Sequence, residues 1–263
     1  MKRAKGQKKS AEKKKVEIKD RAVKRVKAGE IILLLALFIL LLSVNYPFLD
    51  KKVTDFLTTG NTGTAQIQRV IDGDTVVTNS NEHIRLLGIN TPEKGEFIYD
   101  GAKSFLESLV LNKTVTLEFV KDKYDKYNRT LAYVFLDDKN VNAMMVENGY
   151  ANYYFYSGLD KYSSSLKDAW ETCMQSNKNL CEKSTNVCAA CFSVNSNSIA
   201  NKCSFSCDIT GWQVKGEGRE KFIFSQQAVQ PSASARFALD LSNSGGSVFL
   251  RDDEGKLVAW GEN

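Results

Sequence analysis

The chain has 263 residues, 43 % apolar and 25 % charged, the composition of a folded protein with room for one or two domains. Its net charge of +5 is unevenly spread: residues 1–30 hold 13 Lys/Arg against 4 Asp/Glu, and the remaining 233 hold 23 against 27. That balance excludes a folded domain that grips nucleic acid mainly by counterion release. A single histidine, His83 in a polar turn, excludes histidine-based acid–base chemistry and His-rich zinc sites.

The basic head leads into Ile31–Val44, fourteen residues with one polar member, Ser43. Ala28 and Gly29 before it and Tyr46, Phe48 and Leu49 after it extend the run towards the roughly 20 residues that span a bilayer. The long charged lead and the lack of a small-x-small cleavage site favour an uncleaved signal anchor over a secretory signal. The basic excess before the span puts the N-terminus in the cytoplasm and the rest outside. The expected order is therefore a basic cytoplasmic tail at 1–27, a single transmembrane helix at 28–49 and a polar linker at 50–64. If the anchor is cleaved, the protein is secreted.

From Ala65, β-branched runs at 66–71, 74–78, 84–89, 114–120 and 130–136 predict five strands separated by turn formers. Tyr99–Leu111, with apolar residues at 102, 105, 106, 109 and 110, has helical spacing, and Val141–Asn148 and Lys161–Ser176 also predict helices. This order fits a small closed five-stranded β-barrel with flanking helices. Beyond about 185 the chain turns to Ser, Asn and Gly with short strands predicted at 210–215, 220–224, 234–239, 246–250 and 257–260, an all-β sandwich. The domains expected are 65–182 and 183–263.

Three segments carry the chemistry: IDGDTV at 71–76, IRLLGINTPE at 84–93 and DKYDKYNRTLAYVF at 122–135. Asp-Gly alone reads as a hairpin turn. The second segment changes this, because Arg85 lies on a strand and Asn90-Thr91-Pro92-Glu93 leaves it. Pro92 holds Thr91 extended, so that its carbonyl can aim into a site. Asp74, Asn90 and that carbonyl are oxygen donors of the kind Ca²⁺ prefers. Arg129 arrives on the third segment, after Tyr127-Asn128. Two arginines among carboxylates can also form a plain structural ion network.

In these motifs the sequence resembles the staphylococcal nuclease (thermonuclease) family, from about Ala65 to Leu180. The resemblance implies an OB-type barrel that binds Ca²⁺ and cleaves DNA and RNA. It implies that Asp74 and the Thr91 carbonyl hold the metal, that Glu93 orients or deprotonates the attacking water, and that Arg85 and Arg129 hold the phosphate. Asp72 and Tyr127 support the site. Asn90 departs from the family's aspartate, which removes one negative charge from the metal's surroundings and predicts weaker Ca²⁺ binding. The loop after Glu93 is shorter than in the family. Among Tyr150, Tyr153, Tyr154, Phe155 and Tyr156, some are expected to stack on a base and the rest to pack the barrel.

All six cysteines fall within 173–207: Cys173, Cys181, Cys188, Cys191, Cys203 and Cys207. An even, clustered set outside the cell argues for disulfides, and the CxxC and CxxxC spacings leave zinc open. Either way the cluster is expected to staple the junction between the two domains. From Cys207 onward DITGW, SARF and GGSVFLRDDEGKLV resemble a lamin-tail domain, which implies an immunoglobulin-like β-sandwich that binds an unknown ligand. The expectation is a monomeric, membrane-anchored extracytoplasmic nuclease; the alternative is a weakened or inactive nuclease-fold module that binds nucleic acid or protein at the cell surface.

Overall fold

The computed structural model describes residues 61–156, 158–241 and 246–261, so the expected tail, anchor and most of the linker lie outside the described residues. Among the described residues no helix is long and apolar enough to cross a membrane.

The five predicted strands form within a few residues of the expected bounds: β1 (Thr62–Val70), β2 (Thr75–Thr78), β3 (His83–Leu86), then, after the two-residue β4 (Ile89–Asn90), β5 (Thr114–Tyr124) and β6 (Thr130–Leu136). They pair antiparallel in the order β3-β2-β1-β5-β6, the two-residue β7 (Lys139–Asn140) extends the sheet beyond β6, and a parallel pairing of β3 with β6 closes the barrel. The strands are legible because their inward residues alternate: Val115 and Leu117 on β5, and Ala132 and Val134 on β6, enter one core with Ile67, Ile84 and Leu86. The predicted helices are α1 (Tyr99–Val110), α2 (Val141–Glu147) and α3 (Ser163–Ser176). Helix α1 buries Ala102, Leu106 and Val110, a strict four-residue spacing, and α2 starts on a side-chain cap, Asn140 accepting from Ala143 N–H at 3.2 Å.

Closure also sets the site. Across β2–β3, Thr75 faces Arg85; across β3–β6, Ile84 faces Thr130. Arg85 and Arg129 are therefore brought to one mouth of the barrel, beside the β1–β2 turn that carries Asp72 and Asp74.

The C-terminal part is β as expected, with four of its strands close to prediction: β12 (Gln213–Gly216), β13 (Lys221–Ile223), β16 (Val248–Arg251) and β17 (Leu257–Gly261) form a sheet in the order β13-β12-β16-β17. Strand β15 (Ser234–Arg236) pairs instead with β10 (Ser198–Asn201) and β9 (Phe192–Val194), two strands not predicted inside the cysteine-rich stretch. A short pair, β11 (Cys207–Asp208) with β14 (Ala228–Val229), completes this half; Asn152–Tyr153 forms β8, which pairs with β4. Phe192, Ile199, Trp212, Val214, Phe224 and Leu250 from these elements share a second core.

The two cores meet in β16. Val248 and Leu250 enter the sandwich core, while Phe249 between them enters the barrel core with Leu257. Period-two alternation thus serves a different core on each face. Phe249 lies edge-on to Trp170 of α3 at 5.2 Å between ring centres and to Tyr153 at 6.1 Å, and Trp260 meets Trp170 at 6.4 Å. The barrel's hydrophobic core therefore continues across the expected boundary at 182/183.

The six cysteines are paired as disulfides: Cys173–Cys181, Cys188–Cys207 and Cys191–Cys203. The three bonds flank the junction at 182/183, and none of them crosses it. The first bond ties α3 to the turn after it within the barrel half, and the other two lie in the sandwich half. What joins the halves is noncovalent burial.

Candidate active site

The turn Ile71–Asp74 holds its shape through Asp72, whose Oδ1 accepts the Asp74 N–H at 3.1 Å. Gly73 is required by a close approach: a Cβ there would stand 2.9 Å from both Ala102 and Thr91. The turn is pressed against the 90–93 segment, and Asp74 is buried beneath it.

Four contacts hold the Asp74 carboxylate. Oδ1 accepts the Thr75 hydroxyl at 3.0 Å; Oδ2 accepts the Thr91 hydroxyl at 3.0 Å and the Thr91 N–H at 3.3 Å, and pairs with Arg85 Nη2 at 3.1 Å. Arg85 also donates from Nη2 to Ile89 O at 2.8 Å and from Nη1 to Leu86 O. Burial pushes the Arg85 guanidinium below its usual range, against the pull of Asp74, with the like charges of Arg129 and Arg219 adding to the fall. Burial, then the charge of Asp74, raises the Asp72 carboxyl against its hydrogen bonds.

Arg129 is fixed from the other side. Asp125 Oδ1 accepts the N–H groups of Tyr127 and Arg129, each at 2.9 Å, and its Oδ2 receives Arg129 Nε at 2.8 Å and Nη2 at 2.7 Å. Although burial opposes it, these contacts hold the Asp125 carboxyl below its usual range. Arg129 Nη1 donates to Thr75 Oγ1 at 3.1 Å, so Thr75 links Arg129 to Asp74 through one hydroxyl. Three of the five guanidinium N–H groups are engaged, leaving two for an oxyanion. Tyr127, 61 % exposed, has its ring centre 5.6 Å from the Arg129 guanidinium carbon.

Glu93 reaches out of the barrel. Its Oε1 pairs with Arg219 Nε at 2.7 Å, from the loop between β12 and β13. Its N–H donates to Glu96 Oε2 at 2.9 Å, and Glu96 in turn binds Lys215 at 2.7 Å and Lys221 at 2.9 Å. Burial works to raise the Glu96 carboxyl, but the two lysines and the Glu93 N–H hold it down to about 2. Asn90, buried on β4, donates its amide to Gly218 O at 3.0 Å.

Of the predicted residues, Asp72, Asp74, Thr91, Arg85 and Arg129 form one connected network, with Tyr127 at its exposed edge and Glu93 and Asn90 on the side facing the sandwich. Thr75, Asp125, Glu96 and Arg219 were missed. The first two stand inside the motifs; Arg219 is 126 positions from Glu93, and no local pattern announces it. In the aromatic run, Tyr153 and Phe155 are buried and Tyr150 stacks on Phe105 at 4.6 Å, while Tyr156 is exposed with the Tyr154 ring 6.0 Å from it. His83 is exposed at the start of β3.

The side-chain donors near the turn are all oxygen. Asp74 offers carboxylate oxygens and Asn90 an amide oxygen, ligands of the kind a hard divalent cation takes, with the Asp72 carboxylate beside them at the turn. Among the described residues no group of three His, Cys, Asp or Glu side chains converges, so further ligands would be neutral oxygens.

The family model described as staphylococcal nuclease homologue matches residues 83–183. The thermonuclease of Staphylococcus intermedius is 31 % identical over 173 residues, which is 61 % of this chain and 100 % of that protein. The thermonuclease of Staphylococcus hyicus is 29 % identical over 170 residues, 60 % of this chain and 98 % of that protein. An uncharacterized endonuclease of Haemophilus influenzae is 37 % identical over 92 residues, 34 % of this chain and 51 % of that protein. Barrel, motif order and relatives agree: the chain belongs to the staphylococcal nuclease family of phosphodiester-hydrolysing enzymes.

Proposed function

We propose that the protein is a Ca²⁺-dependent nuclease that hydrolyses DNA, RNA or both outside the cell, held to the membrane by residues 28–49. The observation that carries this reading is the network in which Arg85 and Arg129 flank Asp74 at one barrel mouth, with Glu93 leaving the same segment. Asp74, the Thr91 carbonyl and the Asn90 amide oxygen would hold Ca²⁺, which supplies charge neutralisation at the phosphate. Arg129 offers its two remaining N–H groups to a phosphate oxygen, a match in shape as well as charge. Arg85, buried and tied by three contacts, supplies positive charge from beneath. Glu93 orients the water or takes its proton. Because these groups are held by Asp125, Thr75 and the turn before substrate arrives, little reorganisation accompanies the reaction.

The basic run before the apolar segment and the three disulfides support an extracytoplasmic location. The sandwich is proposed as a lamin-tail-like binding domain for an unidentified ligand, and the protein as a monomer. A second reading, a module that binds without cleaving, is favoured by Asn90, whose amide replaces a charge near the metal and is engaged by Gly218. Cleavage of single-stranded DNA and RNA in a Ca²⁺ titration, with chelator as control, separates the two. Metal-dependent cleavage supports the nuclease; binding without cleavage at millimolar Ca²⁺ supports the module.

A further inference from the structure

The barrel's site is completed from outside the barrel. Arg219 stands in the loop between β12 and β13, and its Nε lies 2.7 Å from Glu93 Oε1. The loop is anchored on both sides of that contact. Glu217, fully buried, accepts the N–H groups of Phe155 at 3.1 Å and Ser247 at 3.2 Å. Gly218 O accepts the Asn90 amide at 3.0 Å. Lys215 and Lys221, on the strands that flank the loop, both bind Glu96, three positions after Glu93. A loop so fastened holds the Arg219 backbone beside Glu93, and the ion pair orders both side chains.

Glu93 needs such a partner. Its side chain is 44 % exposed at the end of a short segment, and a glutamate so placed samples several rotamers in water. A cation on Oε1 selects one of them and leaves Oε2 for the attacking water. We propose that Arg219 is a positioning residue of the hydrolysis, contributed by the sandwich to the nuclease site, and that it acts through Glu93. The inference rests on the reading of Glu93 as the group that orients or deprotonates water. It gives the C-terminal half a part in the reaction itself, in addition to any ligand it binds.

The test uses the full chain, a single-stranded DNA oligonucleotide and Ca²⁺, with kcat and KM measured separately. Slow variants are followed in single turnover with excess enzyme. Arg219→Ala is expected to lower kcat about tenfold, the scale of a misplaced catalytic group, and to change KM less than twofold. Arg219→Lys is expected to recover most of that loss. In a Glu93→Gln background, Arg219→Ala is expected to change nothing further. Three results overturn the proposal: a faster Arg219→Ala enzyme, which would make the ion pair an obstacle; a loss confined to KM, which would make Arg219 a substrate contact; or an equal loss with and without Glu93. Arg219 is 53 % exposed, so the variant should keep its melting temperature, and a drop of several degrees would also count against a positioning role. Folded wild-type protein that cleaves nothing would refute the nuclease reading itself, a distinct outcome.

Discussion

Glu96 offers a quantitative test of how the two halves are joined. Its carboxylate receives Lys215 at 2.7 Å and Lys221 at 2.9 Å across the interface, together with the Glu93 N–H. Held at about 2 rather than at the ordinary 4.5, it favours the folded, ionised state at neutral pH by roughly 3 kcal/mol, which solvent at this partly open rim reduces to about 1–2 kcal/mol. The sign follows from the direction of the shift. A carboxyl depressed by folding contributes its full stability above about 4.5 and loses it as pH falls towards 2. Glu96→Gln keeps an oxygen that can accept from a lysine and from Glu93 N–H, but it removes the charge. Urea unfolding of wild type and variant between pH 2 and 8 is the assay. The variant should be about 1–2 kcal/mol less stable at pH 7, with the difference shrinking below pH 4.5 and vanishing near 2. A difference that does not change with pH, or none at pH 7, would mean that the Glu96 ion pairs do not stabilise the interface.

Trp170→Ala, which empties the aromatic junction with Phe249 and Trp260, should cost about 3–5 kcal/mol in urea unfolding. It should also make the sandwich half more susceptible to proteolysis. Replacing both Cys173 and Cys181 by serine opens a loop of separation 8 and should cost about 2–3 kcal/mol. Its effect should be confined to the barrel half, readable by amide hydrogen exchange in α3. Asn90→Asp restores a charge beside the proposed metal and should lower the Ca²⁺ concentration for half-maximal cleavage about tenfold, the part of the Coulomb gain that survives desolvation. An unchanged or higher Ca²⁺ requirement would remove Asn90 from the ligand set.

The barrel was legible because its strands and helices obey simple periods. Ala102, Leu106 and Val110 repeat every four residues, and Val115 and Leu117 alternate with polar neighbours. The catalytic candidates were legible because three short motifs place charged residues on those strands or close to their ends. What the sequence left hidden depends on contacts between distant segments. Strand β16 buries all four of its residues, which reads as an ordinary core strand, and only the structure reveals that Phe249 and its neighbours serve different cores. Strands β9 and β10 lie among cysteines and asparagines with weak alternation. The engagement of Glu93 by Arg219 and of Asn90 by Gly218 spans more than 120 positions, and neither loop carries a motif of its own. The disulfide partners were equally unreadable, since six cysteines allow fifteen pairings.

Glu93 and Arg129 are proposed to perform phosphodiester hydrolysis at this barrel mouth. The direct measurement is the cleavage rate of single-stranded DNA in millimolar Ca²⁺ by wild type, Glu93→Gln and Arg129→Ala, each checked for an unchanged fold. Wild type should cleave, and kcat should fall by about 10²–10³ for Arg129→Ala, the scale of a lost preorganised donor, with a comparable loss for Glu93→Gln. Cleavage by the two variants at the wild-type rate would place the chemistry elsewhere and contradict it.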